Sequence, residues 1–281
     1  MLSSDLLGVI FALNSALVWG SGDFSGGIAT RRNNPFQVLA LASITGIVVL
    51  ALLAIVRGEG LPDLTSSAWA TSAGVSGALG IAALYRALSL GNAAIVAPIA
   101  AVIGAILPIL FGTAFEGVPR LTQIAGFLAG IVGIWLLTKS PSASRVEVQG
   151  GMLLAFSAGL GFGGFFILIA QVEPGIIFTP LLVAKSVSLG VALVILSIQH
   201  SGFPAARSNP VALIAGVLDA GGNVFYLLAE QFTRLDVAAV LSSMYPASTV
   251  ILASLILKEK VSPVQWAGVF LCLFAVALIA V

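Results

Sequence analysis

Residues 36–56 read FQVLALASITGIVVLALLAIV, a run of twenty-one residues that contains no charge. An α-helix needs about 20 predominantly apolar residues to cross the hydrocarbon core of a bilayer. Polar residues bound the run, with RRNNP at 31–35 before it and Arg57 after it. The stretch therefore predicts a transmembrane helix that begins and ends at short polar turns.

The rest of the chain repeats this pattern. Apolar runs fall at about 5–27, 36–56, 67–89, 92–115, 121–138, 151–172, 175–199, 209–231, 236–257 and 263–281. The breaks between them are short, and the longest, KSPSASRVEVQ at 139–149, is a linker at the midpoint. The sequence thus predicts an all-α polytopic membrane protein of about ten helices without an extramembrane domain. Its location would be the cell membrane (inner or plasma membrane).

Composition agrees with that class. Hydrophobic residues make up 59% of the 281 and charged residues only 8%, whereas a soluble domain carries roughly 25% charged residues. The 31 glycines suit close helix crossings in lipid. A net charge of +1 gives no reason to expect a nucleic-acid partner, and the single cysteine, Cys272, excludes an internal disulfide and a cysteine metal site. No cofactor is expected.

The midpoint linker separates two similar halves. At a shift of 142 residues glycines align with glycines five times, where 31 in 281 residues would give about two by chance. The aligned pairs are Gly22 with Gly164, Gly60 with Gly202, Gly74 with Gly216, Gly80 with Gly222, and Gly126 with Gly268. Gln123 meets Gln265 at the same shift, and Gly20 meets Gly163 at 143. We expect a first repeat at 1–138 and a second at 150–281.

An odd number of helices in each half has a geometric consequence. If the first half enters the membrane from one side, the second enters from the other, so the two repeats are inverted. Inverted repeats are typical of secondary carriers, in which a site near the midplane opens to alternate sides. The pattern therefore favours a transporter.

Several motifs occur once in each half. They are ALNSALVWGSG at 12–22 with its partner at 155–165, a glutamate near the end of helices four and nine (Glu116 and Glu259), and QIAG at 123–126 with QWAG at 265–268. With Tyr85-Arg86-Ala87-Leu88 at the end of helix three, they resemble the ten-helix EamA branch of the drug/metabolite transporter superfamily. The resemblance extends along the whole chain and implies an exporter of small metabolites, with helices 1, 3, 4, 6, 8 and 9 around a central cavity.

Asp219 is the first candidate for a site residue, because ionisable groups at membrane depth cost about 2.5–3.5 kcal/mol or more and need a reason. Asn223 and Tyr226 follow it at spacings that share one helix face. The three would bind a substrate amine or a coupling proton. The alternative is a structural hydrogen bond to a neighbouring helix. Lys185, midway along helix seven, would either pair with Asp219, which would weaken that role, or extend toward the interface.

Helix one supplies further candidates. Asn14, Trp19, Ser21 and Asp23 bring polar and aromatic groups into an apolar segment, and of these we select Asn14 and Trp19 as cavity residues. Asn14 is expected to face inward, since lipid cannot satisfy its amide. Trp19 would line the cavity or anchor at the interface. Their counterparts in the second half are Ser157 and Phe162.

The last candidates lie in helix nine, where Ser243 and Tyr245 accompany Ser242 and Pro246. A bend there would turn carbonyl groups toward a solute, and a repaired proline kink is the alternative. Arg86 would be an anion site or a headgroup contact. Glu116 and Glu259 are expected to pair with loop cations such as Arg120, Lys258 or Lys260.

An enzyme is not expected. His200 is the only histidine, it lies in a loop, and no phosphate-binding GxxxxGK[ST] motif occurs. The sequence therefore predicts a secondary transporter of small polar metabolites such as amino acids, with sugars, lipophilic cations or a non-transporting sensor as alternatives. Seven Lys/Arg fall in odd-numbered loops and three in even ones, which places both termini outside, whereas the resemblance implies cytoplasmic termini. Orientation, coupling ion and oligomeric state stay open.

Overall fold

The computed structural model describes residues 4–31, 33–89, 93–137, 148–203, 205, 207, 209–258 and 260–280. Within them the chain is helical, with short connections. The helices are α1 (Ser4–Ala29), α2 (Pro35–Arg57), α3 (Leu64–Ser89), α4 (Ala93–Phe115), α5 (Leu121–Leu137), α6 (Val148–Ile169), α7 (Phe178–Ile198), α8 (Pro210–Glu230), α9 (Leu235–Ser242), α10 (Tyr245–Ile256) and α11 (Pro263–Ile279). The predicted linker lies almost entirely outside the described residues.

These helices form ten membrane-crossing segments. Seven are long and apolar enough to span a bilayer, and three shorter apolar helices lie at 99–115, 121–137 and 263–279. Helices α9 and α10 belong to one segment, Leu235–Ile256, which is interrupted at Ser243 and Met244. Pro246 stands in the first turn of α10, where its missing N–H leaves no intrahelical bond unmade. The predicted all-α fold of about ten helices is confirmed, with a break in the ninth.

The packing of the helices repeats itself in the two halves. Helix α1 packs antiparallel against α8 and parallel against α10, and α6 packs in the same way against α3 and α4. Helix α2 contacts α8 as α7 contacts α3. The remaining pairs, α2 with α7, α4 with α9 and α5 with α11, each unite equivalent helices of the two repeats. Such a pattern is that of two repeats related by a two-fold axis.

The glycine pairs of the sequence repeat are the sites of these crossings. A Cβ on Gly74 would lie 2.6 Å from the carbonyl oxygen of Ala184, and one on Gly216 would contact the carbonyl oxygen of Ala42. Ala42 and Ala184 are themselves 142 residues apart. In the same way Gly126 abuts Ile279. Backbone approaches this close exclude any larger residue, which explains why glycine recurs at the same positions in both halves.

Helix ends are also matched. The side chain of Gln123 accepts a hydrogen bond from the backbone N–H of Arg120 (3.0 Å), and Gln265 accepts one from Ser262 (2.9 Å). Both glutamines thus satisfy an N–H at the start of a helix, α5 or α11, that has no intrahelical partner. The repeated Gln-x-x-Gly motif therefore combines a helix cap with a close crossing one turn later.

Both termini lie at one end of the bundle, where Asp5 of α1 and Ile279 of α11 line one cavity of about 140 Å³. We call this the terminal end. The connections at 58–63, 116–120, 170–177 and 231–234 lie there too. The opposite end, which carries the connections at 30–34 and 199–209, is called the distal end.

Candidate functional site

One face of α1 points into the bundle, and its two halves differ. Ala12 and Ala16 are buried on this face near the terminal end. Trp19 and Asp23 continue the same face, because steps of three or four residues keep to one side of a helix. Asp23 is nevertheless exposed. Its accessible carboxylate therefore faces the interior of the bundle rather than the lipid side that carries Leu17, which is 55% exposed.

The next turn of α1 lines open space. Among the described residues, no atom lies within 4 Å of the position that a Cβ on Gly26 or Gly27 would take. By contrast, Gly20 and Gly22 earlier on the helix abut α10 and α8. From Asp23 to the distal end, the inward face of α1 therefore borders a cavity instead of packed side chains.

Asp219 and Lys185 form an ion pair beside this space. The Lys185 ammonium group donates a hydrogen bond to Asp219 Oδ2, and the lysine stem lies 3.5 Å from the Cβ position of Gly46 on α2. The side chains are 13% and 38% exposed, respectively. Of the two roles considered for Lys185, the structure has the pair. Because Asp219 already has a cationic partner, it is not the unpaired carboxylate that a cation site would require.

Asp23 is close to this pair. The backbone N–H of Asp219 lies 3.4 Å from the Cβ position of Gly22, the residue before Asp23, and the two carboxylates interact electrostatically. Asp23 also interacts with the hydroxyl group of Tyr245 at the start of α10. Helices α1, α7, α8 and α10 thus bring two carboxylates, one ammonium group and one phenol to the same region at membrane depth.

Three aromatic rings close the site toward the terminal end. The ring of Trp19 lies 5.6 Å from that of Phe166 and 6.0 Å from that of Tyr226, and Phe166 and Tyr226 are 4.7 Å apart, centroid to centroid. Tyr226 is fully buried and donates a hydrogen bond of 3.0 Å to the carbonyl oxygen of Phe166. Its hydroxyl group is therefore used within the protein. We call these three residues the aromatic floor.

Asn223 lies on the same face of α8 as Asp219 and Tyr226, as their spacing predicted. It is 6% exposed, and its amide donates to the carbonyl oxygen of Asp219 (2.6 Å). Its side chain therefore supports its own helix beside the ion pair.

The two aromatic candidates are equivalent, as the repeat predicted. Trp19 packs on Gly222 of α8, and Phe162 packs on Gly80 of α3, whose Cβ would lie 3.0 Å from the ring. Each ring occupies the space that a glycine leaves on the antiparallel neighbour. Phe162 also contacts Gly104 of α4, so it fills the interior between α3, α4 and α6.

The two polar counterparts do not face the cavity. Asn14 is nine residues before Asp23, which places it on the opposite side of α1, and its amide donates to the carbonyl oxygen of Ile10 (2.8 Å). The expectation that lipid forces this amide inward was wrong, because the helix itself satisfies it. Ser157 is exposed and shares its helix face with Leu153, which is 71% exposed. It too lies away from the interior.

At the break between α9 and α10, the serines hold helices together. Ser242 and Ser243 are buried, and the Ser242 hydroxyl group donates to the carbonyl oxygen of Ala12 on α1 (3.4 Å). One turn into α10, Thr249 donates to the carbonyl oxygen of Gly20 (3.0 Å). Of this group, Tyr245 reaches the site through its interaction with Asp23. Ser243 lies behind it in the packed interior.

An ion cluster lies at the terminal end. Arg234, between α8 and α9, binds both carboxylate oxygens of Asp236 (3.0 and 2.8 Å) and donates to the carbonyl oxygen of Gly117 (2.7 Å). Glu116 lies 3.9 Å from Arg234 and accepts the backbone N–H of Leu235. Asp236 is fully buried. These contacts tie the end of α4 to the start of α9, and we call the three charged residues the terminal-end cluster.

The partner expected for Glu116 was therefore wrong. It pairs with Arg234 rather than with Arg120, Lys258 or Lys260. Burial raises the pKa of the Glu116 carboxyl group, and the neighbouring Asp236 carboxylate raises it further, against the Leu235 N–H and Arg234. The hydrogen bond to Asp236 is the main cause that raises the pKa of Arg234. Glu259 and the side chains of Tyr85 and Arg86 lie outside the described residues.

Sequence reasoning named Asp23 but did not select it, and it did not find the terminal-end cluster. The signal for Asp23 was its spacing, since it follows Ala12, Ala16 and Trp19 at intervals that keep one face. The signal for the cluster was Arg234 and Asp236 at the start of the ninth segment, two residues apart. Their partner Glu116 is distant in sequence, so only the packing of α4 on α9 identifies it.

Comparison with known proteins agrees with this architecture. A protein of known crystal structure shares the fold with a TM-score of 0.77 over 96% of this chain and 95% of its own, at 19% sequence identity. None of the curated proteins matches the chain in sequence.

Two inverted repeats in the bilayer, with charged side chains around an interior cavity, define a membrane transporter of small molecules. The EamA-like transporter family matches residues 6–139 and again 149–281. The chain belongs to the EamA-like transporter family, as the resemblance implied.

Proposed function

We propose that the protein is a secondary transporter that exports small polar metabolites such as amino acids, by alternating access, across the cell membrane. One observation carries the proposal. The interior face of α1 is packed toward the terminal end and open from Asp23 to the distal end. A polar space at membrane depth, closed by an aromatic floor, is what a carrier open to one side requires.

The two repeats supply the means of alternation. We take them as residues 1–138 and 150–281, joined by the linker at 139–149. Equivalent crossings, such as Gly74 on Ala184 and Gly216 on Ala42, let either half adopt the arrangement that the other has now. Because no nucleotide-binding motif is present in the sequence, the energy would come from a gradient or from exchange. Export direction rests on the family resemblance.

The charged groups favour a polar solute over an apolar one. Lys185, Asp219 and Asp23 would be left poorly solvated if a lipophilic molecule filled the space, since charges in a medium of low dielectric need polar partners. A small molecule with both an ammonium and a carboxylate group would provide them. A sugar remains the second candidate, since Trp19 offers one aromatic surface.

A flux assay tests the proposal. Purified protein in proteoliposomes would be loaded with a panel of labelled amino acids, amines and sugars, and efflux would be followed with and without a pH gradient. We expect efflux of at least one polar amine-bearing solute above protein-free liposomes. Asp219→Asn should slow it by about tenfold or more, because the Lys185 ammonium group would lose its charged partner. If no panel member moves, the proposed function is wrong.

A further inference from the structure

Asp23 stands out because of the charge balance at the site. Within the described part of the chain, the spanning helices place Asp23, Asp219 and Lys185 beside the open space. Lys185 and Asp219 neutralise one another. One negative charge therefore remains, on Asp23, whose recorded interactions are with the like-charged Asp219 and with the neutral phenol of Tyr245.

An uncompensated charge at membrane depth is costly, so it persists only where it serves a purpose or is neutralised by a cation from solution. Asp23 is accessible from the cavity, so a cation can reach it. The groups that face it from the packed helices are Asp219 on α8, with Lys185 behind it, and Tyr245 on α10. None of these supplies a free positive charge.

We propose that Asp23 is the specificity-determining cation site of the carrier, where a substrate's primary ammonium group and a proton replace one another. The inference rests on the proposed function and makes its substrate class narrower: small polar metabolites with a primary ammonium group. Binding of the ammonium group releases the proton from Asp23, and release of the substrate lets a proton return. One proton therefore moves opposite to each ammonium group, and the charge of the site does not change.

The position of Trp19 provides a test that does not depend on transport. Trp19 precedes Asp23 by one helical turn on the same face, so its emission should respond when the carboxyl group gains or loses its proton. We expect the tryptophan emission of the wild-type protein to change with pH. The change should disappear in Asp23→Asn and in Trp19→Phe, and it should persist in Asp63→Asn, a loop carboxyl group at the terminal end.

Transport and binding provide the second test. In proteoliposomes, Asp23→Asn should reduce efflux of an amine-bearing solute by about 10- to 100-fold, the usual effect of losing a hydrogen bond between charged groups, and should abolish its acceleration by a proton gradient. Thermal stabilisation by the same amine should be lost. The unliganded variant should melt no lower than the wild type, because the removed charge has no partner in the protein.

The outcomes separate the two proposals. An Asp23→Asn variant that transports amines at the wild-type rate with the wild-type gradient response overturns the inference, and so does a variant that melts well below the wild type. If the protein moves sugars but no amine, the inference fails and the carrier function stands. If no solute moves but the pH-dependent emission disappears in Asp23→Asn, the proton site stands and the carrier function fails.

Discussion

The two ends of the bundle are built from equivalent helices but differ in their side chains. At the terminal end, Asp236 is fully buried against Arg234, and the aromatic floor closes the interior. At the distal end, Asp23 is exposed and Gly27 borders open space. The terminal end is thus a packed and ion-paired closure, whereas the distal end is a polar cavity.

The difference arises from positions that break the repeat. At the shift of 143 residues, the counterpart of Asp23 is Phe166, a member of the aromatic floor. At 142, the counterpart of Lys185 is Ser43, a buried hydroxyl group without a partner in the described part of the chain. The glycine crossings preserve the symmetric frame, and the unequal side chains set which end is open.

The largest effect is expected at the terminal-end cluster. Arg234→Gln would leave the buried Asp236 carboxylate without its charged partner, and breaking such a pair costs about 3–5 kcal/mol. The free energy of unfolding, measured in detergent by denaturant titration, should fall by that amount.

Arg207→Gln is the matched control, because Arg207 is exposed in the connection between α7 and α8. It should change the free energy of unfolding by less than about 0.5 kcal/mol. Adding Asp236→Asn to Arg234→Gln should recover part of the loss. Equal stability of the two arginine variants would show that the closure does not depend on the cluster.

A smaller effect is expected from glycine substitutions at the two kinds of position. Gly216→Ala would press a methyl group against the backbone of Ala42, and overpacking of this kind costs about 1–3 kcal/mol. Gly27→Ala meets no described atom and should gain up to about 1 kcal/mol in helix propensity. Thermal unfolding of both variants checks the contrast. A destabilised Gly27→Ala would mean that the distal end is packed.

Chemical labelling gives the most direct view of the comparison. In a Cys272→Ala background, Gly27→Cys should react with a membrane-impermeant maleimide faster than Ala238→Cys by about tenfold or more, since Ala238 is fully buried and needs local opening. Labelling from each side of sealed vesicles would also show which way the distal end faces. Similar rates at the two positions would contradict a closed terminal end.

Much of the fold followed from sequence patterns. The apolar runs predicted the membrane-crossing segments, and α2, predicted at 36–56, spans Pro35–Arg57. The largest shift of a helix start is at α7, which begins at Phe178 rather than 175. The break at Ser243 and Met244 could not be located by hydropathy, because an apolar run does not reveal where helical hydrogen bonds end.

The candidate site was less predictable. Face periodicity correctly grouped Asp219, Asn223 and Tyr226, since that grouping depends on one helix alone. It misplaced Asn14, because the amide found an acceptor one turn back on its own helix. Whether a side chain is paired depends on a second helix, and the spacing of Asp219 could not show that Lys185 reaches it.

By itself, the sequence determined that this protein spans a membrane as two repeats and where glycine must lie at the crossings, because lipid imposes apolar length and close packing on every segment. Only the tertiary structure decided that Lys185 is paired with Asp219, that Asp23 is accessible, and that one end is closed. These facts depend on distances between helices far apart in sequence, which no local pattern encodes.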